Sequence, residues 1–139
     1  MTSPIYLLAP FCAWLVAGVL KFAINSVLAG RAAFGLIGYG GLPSNHSAIV
    51  SCMAVLIALR DGMSHPAFGV AVTLAFIVLL DASSLRREVG RHAAALNRLH
   101  GESPDAVRLR ERIGHRPLEI VAGVAVGAAV AWLLQRFAG

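Results

Sequence analysis

The sequence PSNHSAIVSCMAVLIAL, residues 43–59, joins a polar turn to an apolar helix. Ser44 is a good N-cap residue, and the apolar stretch from Ala48 to Leu59 predicts the body of the helix. His46 falls in the first turn, where backbone N–H groups without intrahelical partners point out of the helix end and favour phosphate. The alternative is ordinary capping, in which Ser44 and Ser47 satisfy these amides and His46 lies at an interface.

The chain as a whole is too apolar for an ordinary soluble domain. Of its 139 residues, 58% are hydrophobic and 14% are charged, and the mean hydropathy is +0.73. A soluble protein of this size must cover its core with polar surface, so the composition favours an integral membrane protein. The length allows one domain, residues 1–139, with about four membrane-crossing helices at roughly 20 residues each.

We therefore predict an all-α, integral membrane helical bundle. Its helices are expected at about residues 5–29, 44–60, 66–81 and 117–137. Residues 82–116 form a basic, partly helical connection, with helix-like stretches near 86–99 and 105–113. Gly123 and Gly127 form a GxxxG step, which lets another helix approach closely and makes a homo-oligomer reasonable.

A second motif, GHRPLE at residues 114–119, places another histidine just before the last apolar helix. The Glu119 carboxylate, four residues after His115, can accept the Nδ1 proton of the imidazole and leave Nε2 free to attack. The alternative is a glutamate that complements the helix dipole beside a loop histidine. Two histidines, one with its own carboxylate, among basic residues on an apolar chain predict phosphoryl chemistry at a membrane.

Charge and topology place both motifs on one membrane face. If all four helices span, the connections that hold His46 and His115 lie on the same side. The segment 82–116 contains eight arginines, whereas the opposite connection has only Arg60. The positive-inside rule then predicts that the site faces the cytoplasm. We expect the membrane to be a bacterial inner membrane. The net charge of +5 on an apolar background favours anionic lipid headgroups as partners over nucleic acid.

Lys21, Arg86 and Arg87 are the candidate phosphate-binding cations. A guanidinium group binds phosphate oxygens through a bidentate fork, whereas an ammonium group acts as a point charge. Lys21 could instead extend from its helix end to the membrane surface. Asp81 is expected to pair with one of the arginines, and a metal role for Asp81 with His92 lacks a recognised ligand spacing.

Two segments resemble a known superfamily. Pro43-Ser44-Asn45-His46-Ser47 resembles the Pro-Ser-Gly-His signature of the type 2 phosphatidic acid phosphatase and vanadium haloperoxidase superfamily. HRPLEIVAG, residues 115–123, resembles its His-x-x-x-Asp-x-x-x-Gly segment. The chain is similar to the small, divergent bacterial and plant branch from about residue 21 to residue 127, including LRREVG at residues 85–90.

The resemblance implies roles for individual residues. His115 would be the nucleophile that forms a phosphohistidine, Glu119 would orient it, and His46 would protonate the departing alkoxide. Lys21 and Arg87 would hold the phosphoryl oxygens, and no metal or other cofactor would be needed.

The remaining site residues follow from their positions beside these groups. Ser44 and Ser47 are expected among the phosphate-binding residues, and Asp81 and Asn45 behind them. Asn45 stands where the superfamily has glycine, and glutamate stands where it has aspartate. The superfamily's arginine lies six residues before its histidine, a position that Leu109 occupies here, so Arg86 or Arg87 must fill that role.

The function expected is hydrolysis of a membrane lipid phosphate or pyrophosphate, of isoprenoid or glycerolipid type, by a metal-independent phosphatase. Two alternatives stay open at this point. One is a non-catalytic protein that binds a lipid phosphate without turning it over. The other is a structural or transport-related helical membrane protein in which the histidines serve packing or gating.

Overall fold

The structure, a computed structural model, describes residues 4–32, 41–100, 107–111 and 113–138. Its helices are α1 (Ile5–Ala29), α2 (Asn45–Arg60), α3 (Pro66–Leu80), α4 (Arg86–His100) and α5 (Pro117–Ala138), and a π-helical turn, Asp81–Leu85, joins α3 to α4. No strand occurs among the described residues. The predicted all-α class is therefore confirmed.

The basic connection differs from the prediction in two ways. The third helix was expected to end at Asp81. Instead, α3, the π turn and α4 follow one another without a break and form one continuous helix over Pro66–Leu99. The prediction of a helix near 105–113 is wrong for the described part of that range, because residues 107–111 have no regular secondary structure. In this segment the backbone N–H and C=O of Leu109 pair with the side-chain amide of Asn97. They therefore do not form the backbone hydrogen bonds of a helix.

Within the described residues, three helices are long and apolar enough to cross a membrane: Ile5–Ala29, Pro66–Leu99 and Pro117–Phe137. Helix α2 is apolar but has 16 residues, which reach about 24 Å against a hydrocarbon thickness of about 30 Å. Many large apolar side chains point outward, including Leu8, Phe11, Trp14, Leu15, Leu74, Phe76, Trp132 and Leu133. An outer surface of this kind suits lipid better than water.

Helix α2 is the centre of the bundle, and α1, α3 and α5 all pack against it. At one end of α2, the Tyr6 hydroxyl donates to Asp61 Oδ2 at 2.5 Å. At the other end, the Ser44 backbone N–H donates to the Glu119 carbonyl oxygen at 2.9 Å. These contacts make α1 antiparallel and α5 parallel to α2, and they bring the beginnings of α2 and α5 together.

Glycines allow the close approach of α5 to α2. A Cβ atom at Gly123 would overlap the carbonyl oxygen of Ser44, and one at Gly127 would overlap the carbonyl oxygen of Ala48. Both glycines are buried. The GxxxG step is thus used inside the chain, and this helix face is not available to a second copy.

Gly123→Ala is expected to destabilise the bundle. The added methyl group meets main-chain atoms, which cannot turn away as a side chain can, so the cost should be about 1–3 kcal/mol, as for other overpacked sites. The measurement is the thermal unfolding midpoint in detergent. Gly69→Ala is the matched control, because Gly69 also lies in a helix but a Cβ added there would have no neighbour within 4 Å. Equal midpoints for the two variants would contradict the close approach.

Candidate active site

The N-terminus of α2 is held by a pair of serines. Ser44 Oγ accepts from the Ser47 backbone N–H at 3.4 Å and from the Ser47 hydroxyl at 2.9 Å. Both serines are fully buried, at 0% exposure. These hydroxyls therefore cap the helix and do not face a ligand, which differs from the phosphate-binding role expected for them. They instead fix the turn from which His46 projects.

His115 is carried to the site by a return segment, residues 107–111 and 113–116, which lies along α4. Asn97 fixes its start, since Asn97 Oδ1 accepts from Leu109 N–H at 2.9 Å and Asn97 Nδ2 donates to the Leu109 carbonyl at 2.8 Å. Farther along, the backbone of Glu111 lies against Gly90. A Cβ atom at Gly90 would overlap the carbonyl oxygen of Glu111. Gly114, at φ +108, then turns the chain beside Arg86 and Arg87.

The π turn provides the anchor for His115 itself. In an α-helix the Arg86 N–H would donate four residues back, to Ala82. Here it donates to the carbonyls of Asp81 and Ser84, and the Ala82 carbonyl accepts from the His115 backbone N–H at 3.1 Å. A π turn of this kind is common at functional sites because it alters which backbone groups are free.

These supports bring the two imidazoles together. The ring centroids of His46 and His115 lie 6.2 Å apart, with an angle of 76° between the ring planes. The two rings are therefore close enough to contact one small ligand group. His46 is exposed and His115 is half-buried.

Of the two candidate arginines, Arg86 is the one near the histidines. Its Nε donates to Asp81 Oδ2 at 3.0 Å. Gly114, the residue before His115, lies against both arginines: a Cβ there would be 3.3 Å from Arg87 N and 3.6 Å from Arg86 Cβ. The Arg86 charge acts on both imidazoles, as does that of Lys21 from α1. Arg87 is exposed.

Glu119 does not contact the His115 imidazole in the way expected. Its Oε2 accepts from the Arg116 backbone N–H at 3.2 Å, as the glutamate of a capping box does at the third position of a helix. His115 Nδ1 is buried and has no hydrogen-bond partner within the described part of the chain. The carboxylate still acts electrostatically on His115, and more strongly than any other charge.

The surroundings keep both histidines neutral. The pKa of His115 is lowered from its ordinary value by loss of hydration, which together with Lys21, His46 and Arg86 outweighs the opposite effect of Glu119. The pKa of His46 is lowered by partial loss of hydration and then by Arg86 and Lys21, with Asp81 opposing them. A neutral imidazole can act as a nucleophile, so this environment suits that role for His115.

Asn45 lies where α2 begins, beside α1. A Cβ on Gly18 of α1 would be 3.8 Å from Asn45 Nδ2, while Asn45 Oδ1 is buried without a hydrogen-bond partner among the described residues. Nowhere in the described ranges do three His, Cys, Asp or Glu side chains cluster so that they could hold a metal ion.

The residues that position His115 lie outside both histidine motifs. Asn97 and the carbonyl of Ala82 belong to no recognisable motif, since each binds a backbone group of the return segment. Glycines such as Gly90 and Gly114 were a usable signal, because a glycine within a polar stretch often marks a close approach or a turn.

Two comparisons with known proteins each match nearly the whole chain. A sequence profile described as "Divergent PAP2 family" matches residues 3–130. The chain is 28% identical to YuiD of Bacillus subtilis (strain 168), described as an uncharacterized membrane protein, over 148 aligned positions that cover 94% of each protein. No solved structure matches the chain.

We expect His115 to titrate below the ordinary imidazole pKa of about 6.5. Glu119→Gln should lower this pKa further, because it removes the negative charge that favours the protonated ring, while its amide oxygen can still accept from Arg116. The measurement is a nuclear magnetic resonance titration of the imidazole Cε1–H signals in detergent. Glu88→Gln is the control, since Glu88 pairs with Arg91 on the exposed side of α4. A rise in the His115 pKa in Glu119→Gln would contradict this arrangement.

Proposed function

The chain belongs to the divergent PAP2 family, and on that premise we propose that it is a membrane phosphatase acting on a lipid phosphate or pyrophosphate. The observation that carries the proposal is the meeting of His46 and His115, 6.2 Å apart, within the field of Lys21 and Arg86. Two imidazoles and two cations are the groups that phosphoryl transfer through a histidine requires: a nucleophile, a proton donor and positive charge.

In the proposed reaction, neutral His115 attacks the phosphorus atom of the substrate. An N–P bond forms as the P–O bond to the lipid breaks, and His46 gives its proton to the departing alkoxide. Water then attacks the phosphohistidine, His46 takes a proton from that water, and the N–P bond breaks to release inorganic phosphate. In the product complex His115 is neutral and His46 is protonated. When phosphate leaves, His46 gives up this proton to solvent, and it takes up another when the next substrate binds.

The cations supply the electrostatic part of catalysis. Charge on the phosphoryl oxygens is stabilised by Lys21 and by the guanidinium of Arg86, which Asp81 holds in place at 3.0 Å. The bound phosphate in turn opposes the effect of these cations on His46 and favours its protonated form. His46 therefore becomes a proton donor in the substrate complex.

Glu119 is proposed to act on His115 from the first turn of α5. The imidazole Nδ1 has no partner among the described residues, and the carboxylate is the strongest charge acting on the ring. Positive charge develops on His115 as it attacks phosphorus. A carboxylate at this position stabilises that charge and favours the tautomer with the proton on Nδ1.

The substrate is proposed to be a lipid of isoprenoid or glycerolipid type, since the site lies at the ends of membrane-crossing helices. The arginines of α4 extend from this same end of the bundle. The excess of arginines at this end supports, by the positive-inside rule, a site that faces the cytoplasm. The membrane is proposed to be a bacterial inner membrane.

His115→Ala is expected to abolish phosphate release from a lipid monophosphate in detergent, because it removes the nucleophile. The wild type should also form an acid-labile, base-stable phosphoenzyme after brief exposure to radiolabelled substrate, and His115→Ala should not. Leu133→Trp, on the lipid-facing side of α5, controls for general effects of substitution. Wild-type binding without turnover across lipid monophosphates and pyrophosphates would instead indicate a lipid-phosphate-binding protein.

Arg86→Gln and Arg87→Gln are expected to differ sharply. Removing a preorganised charge from the phosphoryl group should lower kcat by about 10²–10³-fold in Arg86→Gln. Arg87→Gln should leave kcat unchanged, because the Arg87 side chain is exposed and Arg86 is the arginine whose charge acts on the imidazoles. Steady-state phosphate release measures both variants. A larger loss in Arg87→Gln would reverse the assignment.

A further inference from the structure

Helices α1 and α3 both pack along α2. At the end of the bundle away from the histidines, Tyr6 packs against the cluster of Ala54, Ile57 and Ala71, which joins α2 to α3. Nearer the histidines, an apolar groove lies on the outer side of α1 and α2.

Four residues line this groove: Pro10, Phe11 and Trp14 of α1 and Ile49 of α2. It encloses about 390 Å³, within the range of roughly 300–1,000 Å³ that is common for small-molecule sites. Phe11 and Trp14 are 63% and 55% exposed, so their rings form an accessible wall and are not part of the packed core.

Both walls of the groove continue to the polar site. Trp14 and Lys21 are seven residues apart in α1, which places them on one face about 10 Å apart along the axis. Ile49 and His46 are three residues apart in α2, so they are neighbours on its surface, about 4.5 Å apart along the axis. Following either helix away from the groove thus leads to a residue of the proposed phosphate site.

We propose that this groove binds the hydrocarbon chain of the substrate whose phosphate lies between His46 and His115. The inference depends on the proposed function and specifies where the substrate's apolar part is held. One ligand then matches both regions: an anionic head beside Lys21 and Arg86, and an apolar tail against Trp14 and Ile49.

A comparison of two substrates with one headgroup tests the groove. Full-length protein in mixed micelles is assayed with a long-chain alkyl monophosphate and with its short-chain, water-soluble analogue. Ile49→Trp fills the groove and should raise KM for the long-chain substrate about tenfold, which corresponds to about 1.4 kcal/mol. The same variant should leave kcat and KM for the short-chain analogue unchanged. Leu133→Trp, which adds the same side chain to a lipid-facing position outside the groove, should change neither.

Trp14→Ala provides a second variant that adds no bulk, so a folding defect in Ile49→Trp does not decide the result. It removes one groove wall and should also raise KM for the long-chain substrate alone. An equal loss for both substrates, or no loss for either in both variants, overturns the groove assignment while phosphatase activity stands.

Binding is measured separately from turnover. A long-chain alkyl phosphate with a photoreactive group in its chain should label peptides that contain Trp14 or Ile49, and unlabelled long-chain alkyl phosphate should compete. Labelling spread evenly over the outward apolar side chains would show contact with bulk lipid only and would overturn the inference. If the wild type labels in the groove but hydrolyses neither substrate, the proposed phosphatase function fails and the groove assignment stands.

Discussion

The close approach of α5 to α2 is the constraint on which the rest of the structure depends. Gly123 and Gly127 leave no room for a Cβ atom against the main chain of α2, and Ser44 N–H then reaches the Glu119 carbonyl at 2.9 Å. Within a membrane there is little hydrophobic drive between helices, so tight packing of small residues and backbone contacts must supply the association. That contact brings the beginnings of two parallel helices together, and each begins beside a histidine.

The α2–α5 contact alone would leave His115 on a long basic connection without an arginine beside it. The π turn and the return segment supply what is missing. Asn97 pairs with Leu109, and the Ala82 carbonyl binds the His115 N–H, so the chain folds back along α4 and ends next to Arg86. Asp81 pairs with this arginine, which is far from His115 in the sequence. Contacts of the return segment with α4 and the π turn therefore bring together charged groups that are far apart along the chain.

Electrostatics and the apolar surroundings act together at this site. Half-burial and the nearby cations hold the pKa of His115 below its ordinary value, which favours the neutral form of the ring. The same cations attract an anion to the cleft, and the exposed apolar side chains of α1 lie within two helical turns of it. A ligand that is anionic at one end and apolar at the other satisfies both environments at once, whereas a free phosphate satisfies only one.

The sequence by itself determined the all-α membrane class, the helix that begins after Ser44, and the two histidine motifs, because hydropathy, capping residues and short motifs are local properties. It left Arg86 and Arg87 equivalent, since adjacent residues cannot be separated without knowing which way their helix faces. It also could not show that Ser44 and Ser47 are buried in a helix cap, or that Glu119 binds the Arg116 N–H and not the imidazole. Only the tertiary structure decided these points, because each depends on where distant backbone segments meet: α5 against α2 at Gly123, and the return segment against α4 at Gly90.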